Sequence, residues 1–262
     1  MNRVLFLNPV GHDQWDQAVK DVLMEAKRDT TEVEVLSLLR GPHHLEYQYY
    51  EALVGPDMLH ALKFAENGGF DAVVIGCFYD PFLHAAREIV DKMIVTAPCE
   101  AGVQIASTLG NRFSIIVGRK KHIPAMRRNV YEYGFKDKLA SFRSLDLAVL
   151  ELHTDEAATQ ERLKKEAFKA VEEDGAEVIL LGCTVQLGFY KELQQELGVP
   201  VIDAVLAPFK HAEYLLDMKN RFGWSHSKKG GYEKPRVEEM INWGLEEQYF
   251  IQGLWTRIKW PI

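Results

Sequence analysis

The chain has 262 residues, of which 47% are hydrophobic and 26% charged, an ordinary globular composition with enough apolar material for one large domain or two small ones. A net charge of -7 and a pI near 5.8 argue against a nucleic-acid surface and against an anionic membrane as partner. The start, MNRVLFLNPVGHD, is too short in its apolar part for a signal peptide. No run approaches the roughly 20 apolar residues of a membrane span, so a cytoplasmic protein is expected. Three cysteines without close spacing make neither a disulfide framework nor a zinc site, and if they matter they matter as thiols.

Residues 3–8 (RVLFLN) form a short apolar run closed by Pro9 and Gly11, the pattern of a strand buried on both faces. Residues 13–27 place Trp15, Ala18, Val19, Val22, Leu23 and Ala26 on one helical stripe, and 33–39 read as a second strand. The segment 40–50 (RGPHHLEYQYY) breaks regular structure and crowds histidine and tyrosine together. It is a candidate wall of a binding site, or equally a surface loop. Residues 52–67 read as a helix with Gly68 and Gly69 at its C-terminus.

The run DAVVIGCFYDP (71–81) follows, a strand ending in Gly76 and Cys77. Asp80 suits the N-cap and Pro81 the first turn of the next helix, and 93–97 read as a fourth strand. The second half replays this order, with a helix at 100–109, strands at 112–118 and 145–150, and helices at 123–133 and 156–173. AEVILLGCTVQ (176–186) then repeats the Gly-Cys strand with Gly182 and Cys183, followed by a helix at 191–197 and a strand at 199–202.

Strands alternating with helices imply parallel sheets with right-handed crossovers. The expected α/β fold has two similar lobes, each a four-stranded parallel sheet flanked by helices, related by a pseudo-twofold with a cleft between them. The first lobe comprises 1–98 plus 206–262, including a C-terminal helical extension, and the second 99–205. A helix over 203–218, with Asp203 as its N-cap, should return to the first lobe. Residues 219–235 read as a loop and 236–252 as a weak helix. Trp224, Trp243, Trp255 and Trp260 either cover the chain's own lobe or form a subunit contact; the contact is preferred, and a homo-oligomer expected.

Ligands of open α/β sheets bind beyond the carboxyl ends of strands, so the two Gly-Cys turns should face each other. The glycines allow close backbone approach and an unusual turn. The amides of Phe78, Tyr79, Thr184 and Val185 should point from helix N-termini and favour thiolate. Two such groups on opposite faces of one carbon remove a proton from one side and return one from the other. The chain shows no metal-ligand spacing and no pyridoxal motif. Amides and hydroxyls, Thr184 and Asn8 among them, are therefore expected to hold the developing enolate. Phe78, Tyr79, Phe189 and Tyr190 either shape a pocket or pack between lobes. Cys99 and His12, His43, His44 and His84 are read as structural or surface residues.

NPVG at 8–11, GCFYDPFLHAARE at 76–88, CEAG at 99–102, RFSIIV at 112–117 and LGCTVQLG with LGVPVIDAV together resemble the aspartate/glutamate/hydantoin racemase superfamily, and within it the hydantoin racemase branch. The resemblance covers about residues 1–215. It implies a cofactor-independent two-base racemase with Cys77 and Cys183 in the catalytic positions. Its small-molecule substrates would be 5-substituted hydantoins, allantoin or amino acids. From their place at the strand ends, Asn8, Gly76, Phe78, Tyr79, Gly182, Thr184 and Val185 are expected to bind the substrate. No metal, nucleic acid or membrane is implied. The family's first-strand motif continues with asparagine and a hydroxyl residue, where Val10, Gly11 and His12 stand here. Competing readings are a cysteine-dependent cis-trans isomerase or decarboxylase of the same superfamily, or a two-lobed ligand-binding or redox-sensing protein.

Overall fold

A computed structural model describes residues 1–251 and Leu254. The first lobe is built on β1 (Asn2–Asn8), α1 (Asp16–Ala26), β2 (Thr31–Ser37), α2 (Gln48–Asn67), β3 (Ala72–Ile75), α3 (Leu83–Ile89) and β4 (Ile94–Thr96). The second carries α4 (Pro98–Leu109), β5 (Phe113–Val117), α5 (Ile123–Glu132), β6 (Leu139–Ser144), α6 (Glu156–Glu172), β7 (Val178–Leu181), α7 (Tyr190–Leu197) and β8 (Val201–Ile202). The sheet orders, β2-β1-β3-β4 and β6-β5-β7-β8, are the same, and every pairing is parallel. That identity of order is the pseudo-twofold expected from the repeat.

Each sheet is buried on both faces, which is why its central strands are continuous apolar runs. In β1, Leu5 and Leu7 meet Val54, Met58 and Leu62 of α2, while Val4 and Phe6 meet Val19 and Leu23 of α1. The second face is completed by Phe209, Ala212 and Leu216 of α8 (Leu206–Phe222), the helix that returns to the first lobe. Asp203 caps it, its Oδ1 accepting the Val205 amide at 2.7 Å and that of Leu206 at 3.1 Å. In the second lobe, Ile115 and Leu180 face α4 and α5, and Ile116, Ile179 and Leu181 face α6 and α7.

Two elements differ from the sequence reading. The strand expected at 145–150 is instead β6 at Leu139–Ser144. This edge strand is half-buried at every position and is pinned by polar contacts. Ser141 Oγ donates to Asp174 Oδ2 at 2.5 Å, and Arg143 Nε to the same oxygen at 2.8 Å. Hydrophobic periodicity does not reveal a strand held in this way. The apolar run after it hugs the end of β5, with the Leu145 amide on Val117 O at 2.9 Å.

The second difference is Asp80, which does not cap the helix that follows it. It takes a left-handed backbone (φ 49°), as does Phe82 (φ 53°). Its carboxylate caps α4 instead, accepting the Cys99 and Glu100 amides at 2.8 Å each.

After α8 the chain runs back over α3 and the edge strand β4. His226 Nε2 accepts the Val95 amide at 2.9 Å, and Lys234 pairs with Asp91 at 2.6 Å. The weak helix is resolved into α9 (Val237–Asn242) and α10 (Leu245–Gln248). Trp224 and Trp243 are 64% and 61% exposed, so neither covers its own lobe. Trp255 and Trp260 lie outside the described residues.

The glycines before the two cysteines have one role in both lobes. Neither has a positive φ, contrary to the unusual turn expected of them. A Cβ on Gly76 would stand 2.5 Å from the Phe6 ring and 3.0 Å from Leu7 O, and one on Gly182 would stand 2.9 Å from Ile116 O. The missing side chain is what lets β3 and β7 close on the central strands. Gly182→Ala is therefore expected to destabilise the protein by about 1–3 kcal/mol. The check is the unfolding midpoint in urea, which an unaffected variant would leave in place.

Candidate active site

The carboxyl ends of the two sheets meet at one pocket of about 840 Å³, its open mouth included. Cys77 and Cys183 both line it, with Asn8, Gly76, Phe78, Tyr79, Gly182, Thr184 and Val185. The equivalence of the two halves extends to single hydrogen bonds. The Gly76 amide donates to Leu7 O and the Gly182 amide to Ile116 O, each at 2.8 Å. Both thiols are free and half-buried.

Side chains crossing between the lobes build the pocket. Phe78 leaves the first lobe and is buried in the second-lobe core beside Cys99 and Phe113, while Leu187 packs the other way into the first-lobe core. Thr184 Oγ1 donates to Gly76 O at 3.2 Å. Asn129 Nδ2 donates to Tyr79 O at 2.6 Å, and the Tyr133 hydroxyl to Asp80 Oδ2 at 3.0 Å. Asn8 is buried, and its Nδ2 donates to Asp16 Oδ1 at 2.6 Å, which fixes the amide orientation. Cys99 is fully buried. Phe189 stacks on His153, away from the pocket lining.

Several lining residues were not singled out as site residues in the sequence. The loop after β2 supplies His43, His44, Leu45 and Glu46, and the loop after β1 adds His12. The two loops are tied by the Leu38 amide on Val10 O and the Gly11 amide on Pro42 O, each at 3.0 Å, and by His12 Nε2 on His43 O at 3.0 Å. His122 and Val149 come from the second lobe, together with Gly118, Met126 and Leu152. Crowding of histidine at 43–44 was the one available signal. Nothing local marks Glu46 or His122. His84, in contrast, is exposed and sits 3.7 Å from Glu132.

Residues 5–212 match the Asp/Glu/Hydantoin racemase family. The chain belongs to that family. It is 36% identical over 239 residues to a hydantoin racemase of Pseudomonas sp. (strain NS671), covering 91% of this chain and 94% of that protein. A hydantoin racemase of Rhizobium meliloti is 39% identical over 222 residues, 85% of this chain and 90% of that one. An allantoin racemase from Klebsiella pneumoniae superposes with a TM-score of 0.84 at 28% identity, over 90% of this chain and 94% of that chain. The protein is thus an isomerase of the racemase type.

The electrostatics of the racemase pocket differ from the thiolate-favouring site expected from helix N-termini. Burial pushes the Cys183 thiol up to about 11, opposed by the Val185 and Gln186 amides and assisted by the charge of Glu46. Burial pushes Cys77 higher still, against the Tyr79 amide and with the charges of Cys183, Glu51 and Asp80. A desolvated thiolate without a cation beside it is costly. The described pocket lining contains no lysine or arginine, and a short turn, not a full helix, follows each cysteine.

Alkylation reports the thiolate. Below its pKa a thiol gains about tenfold in thiolate per pH unit, so the Cys183 rate should keep climbing through pH 10, and Cys183 should react ahead of Cys77. Iodoacetamide labelling with peptide mass spectrometry, over the range where the fold is intact, checks this. A plateau near pH 9, as for a free cysteine of pKa about 8.5, would contradict it.

Proposed function

We propose that the protein racemises a 5-substituted hydantoin or the related ureide allantoin, by two-base proton transfer between Cys77 and Cys183 and without a cofactor. The observation that carries this reading is the placement of the two thiols at equivalent strand ends of two equivalent sheets, lining a single pocket. The hydantoin and allantoin racemases to which the chain is similar support the substrate class.

One cysteine starts as thiolate and the other as thiol. The thiolate takes the proton from the stereocentre, and the electron pair of that C–H bond moves onto the neighbouring carbonyl as an enolate. The opposite thiol then delivers its proton to the other face, which inverts the centre and exchanges the roles of the two sulfurs. A thiol with a raised pKa is scarce as thiolate, yet strongly basic once formed, which suits a carbon acid. We assign the enolate oxygen to the Phe78 and Thr184 amides, with Asn8 beside them, while the Thr184 hydroxyl, donating to Gly76 O, holds the turn in place. Gly76 and Gly182, by letting their strands close on β1 and β5, set the position of the two thiols against the ring, and Tyr79 and Val185 flank it. The substituent meets apolar lining contributed by both lobes, with Val10, Trp15 and Leu45 from the first and Met126 and Leu152 from the second.

A dicarboxylate substrate, as in the cis-trans isomerase reading, would meet no lysine or arginine in the described lining. Homo-oligomerisation belongs to the same proposal and is supported by exposed Phe222, Trp224, Ile241 and Trp243.

The test uses single-enantiomer 5-substituted hydantoins in heavy water, corrected for the uncatalysed rate. Loss of optical rotation should accompany deuterium uptake at C5. Cys77→Ser and Cys183→Ser should each lower the rate by about 10²–10⁴-fold. Full activity in either variant would sink the two-base mechanism.

A further inference from the structure

The pocket carries one formal negative charge, Glu46, and its surroundings are built around it. Glu46 stands on the first-lobe loop, is 6% exposed, and is held by the second lobe. Its Oε1 accepts from His122 Nε2 and from the Val149 amide, each at 3.2 Å. His122 Nδ1 accepts the Arg119 amide at 3.4 Å, so the ring is the tautomer with its proton on Nε2, directed at Glu46. Burial lowers the His122 pKa, while Glu46 opposes that shift. The second oxygen is placed differently. Oε2 lies 3.6 Å from both His44 Nδ1 and Arg119 Nη1, longer than a hydrogen bond. Among the described residues it therefore keeps a lone pair without a short donor.

We propose that Glu46 is the specificity-determining residue of the pocket, its Oε2 accepting a ring N–H of the substrate, so that neutral cyclic ureides are taken and carboxylate anions refused. The proposal rests on the racemase reading of the same site. A ureide ring presents two N–H donors, and a charged acceptor in a dry site makes the stronger class of hydrogen bond. A diacid or an N-carbamoyl amino acid, which has no ammonium, would bring a second carboxylate beside Glu46; the Arg119 guanidinium, 3.6 Å from Oε2 and outside the described lining, is already paired with Glu46, and like charges in such a site repel strongly.

The experiment measures binding apart from turnover. Titration calorimetry uses the Cys77→Ser/Cys183→Ser double variant, with and without Glu46→Gln, which keeps the volume and the acceptor facing His122 and Val149. The ligands are 5-benzylhydantoin, its N1-methyl and N3-methyl derivatives, and the anion N-carbamoyl-phenylalanine. With Glu46 in place, the parent hydantoin should bind and N-carbamoyl-phenylalanine should not compete. Glu46→Gln should weaken the parent by about 10–100-fold, the range of a hydrogen bond to a charged group. One N-methyl derivative should bind weakly to both proteins with no further loss on substitution.

Equal affinity of the parent with and without Glu46→Gln, parent-like binding of both N-methyl derivatives, tight N-carbamoyl-phenylalanine binding, or no hydantoin binding at all would each overturn the proposal. If binding follows the expected pattern while the unsubstituted enzyme racemises no hydantoin, the selectivity of Glu46 stands and the two-base function falls.

Discussion

In both lobes the glycine before the cysteine gives its amide to the central strand, Gly76 to Leu7 O and Gly182 to Ile116 O. That approach tolerates no Cβ. It places each thiol at the last hydrogen-bonded rung of a buried parallel sheet, where the backbone has little freedom. A parallel strand must be covered on both faces by its crossover helices, so four helical layers follow from the same constraint. Only the carboxyl ends of the sheets stay open, and the pocket forms there.

What turns two lobes into one site is reciprocal insertion. Phe78 is buried in the second lobe, one residue beyond Cys77, and Leu187 packs on the first, four residues beyond Cys183. The polar contacts follow the same crossing, with Thr184 on Gly76, Asn129 on Tyr79, Tyr133 on Asp80, and His122 with Val149 on Glu46. Asp80 links the two requirements. It ends the turn that begins at Cys77 and caps the helix that opens the second lobe, and burial pushes its carboxyl up against the pull of the amides it accepts. The residues that set the cysteine geometry are therefore also those that dock the lobes.

The described lining of the pocket holds no lysine or arginine and is largely apolar, and burial pushes the pKa of both thiols up. This follows from putting the reactive groups at the ends of buried strands. A low-dielectric site makes a thiolate rare and makes each remaining polar group count for more, which is why the position of one carboxylate at Glu46 bears on what can enter.

Much of this was legible in the chain itself. The doubly buried strands carry apolar runs of four residues in β1, β3 and β7, and FSIIV, with a single serine, in β5. The Gly-Cys repeat exposes the two-lobed plan because the same backbone approach recurs in each half. The helices follow from their stripes, and the histidine-rich loop at 43–44 did prove to be pocket wall. The edge strand β6 was not legible, since Ser141 and Arg143, held by Asp174, interrupt the apolar positions with which it meets the core. The reach of Asp80 to α4, the placement of Phe78 in the opposite core and the pairing of Glu46 with His122 were hidden for another reason. Each joins positions distant in sequence through a hydrogen bond or a packing contact that local pattern does not encode. The raised thiol pKa values belong with them, because desolvation is a property of everything that surrounds a group. The sequence alone determined which residues could do the chemistry; only the tertiary structure decided how dry, how charged and how selective their surroundings are.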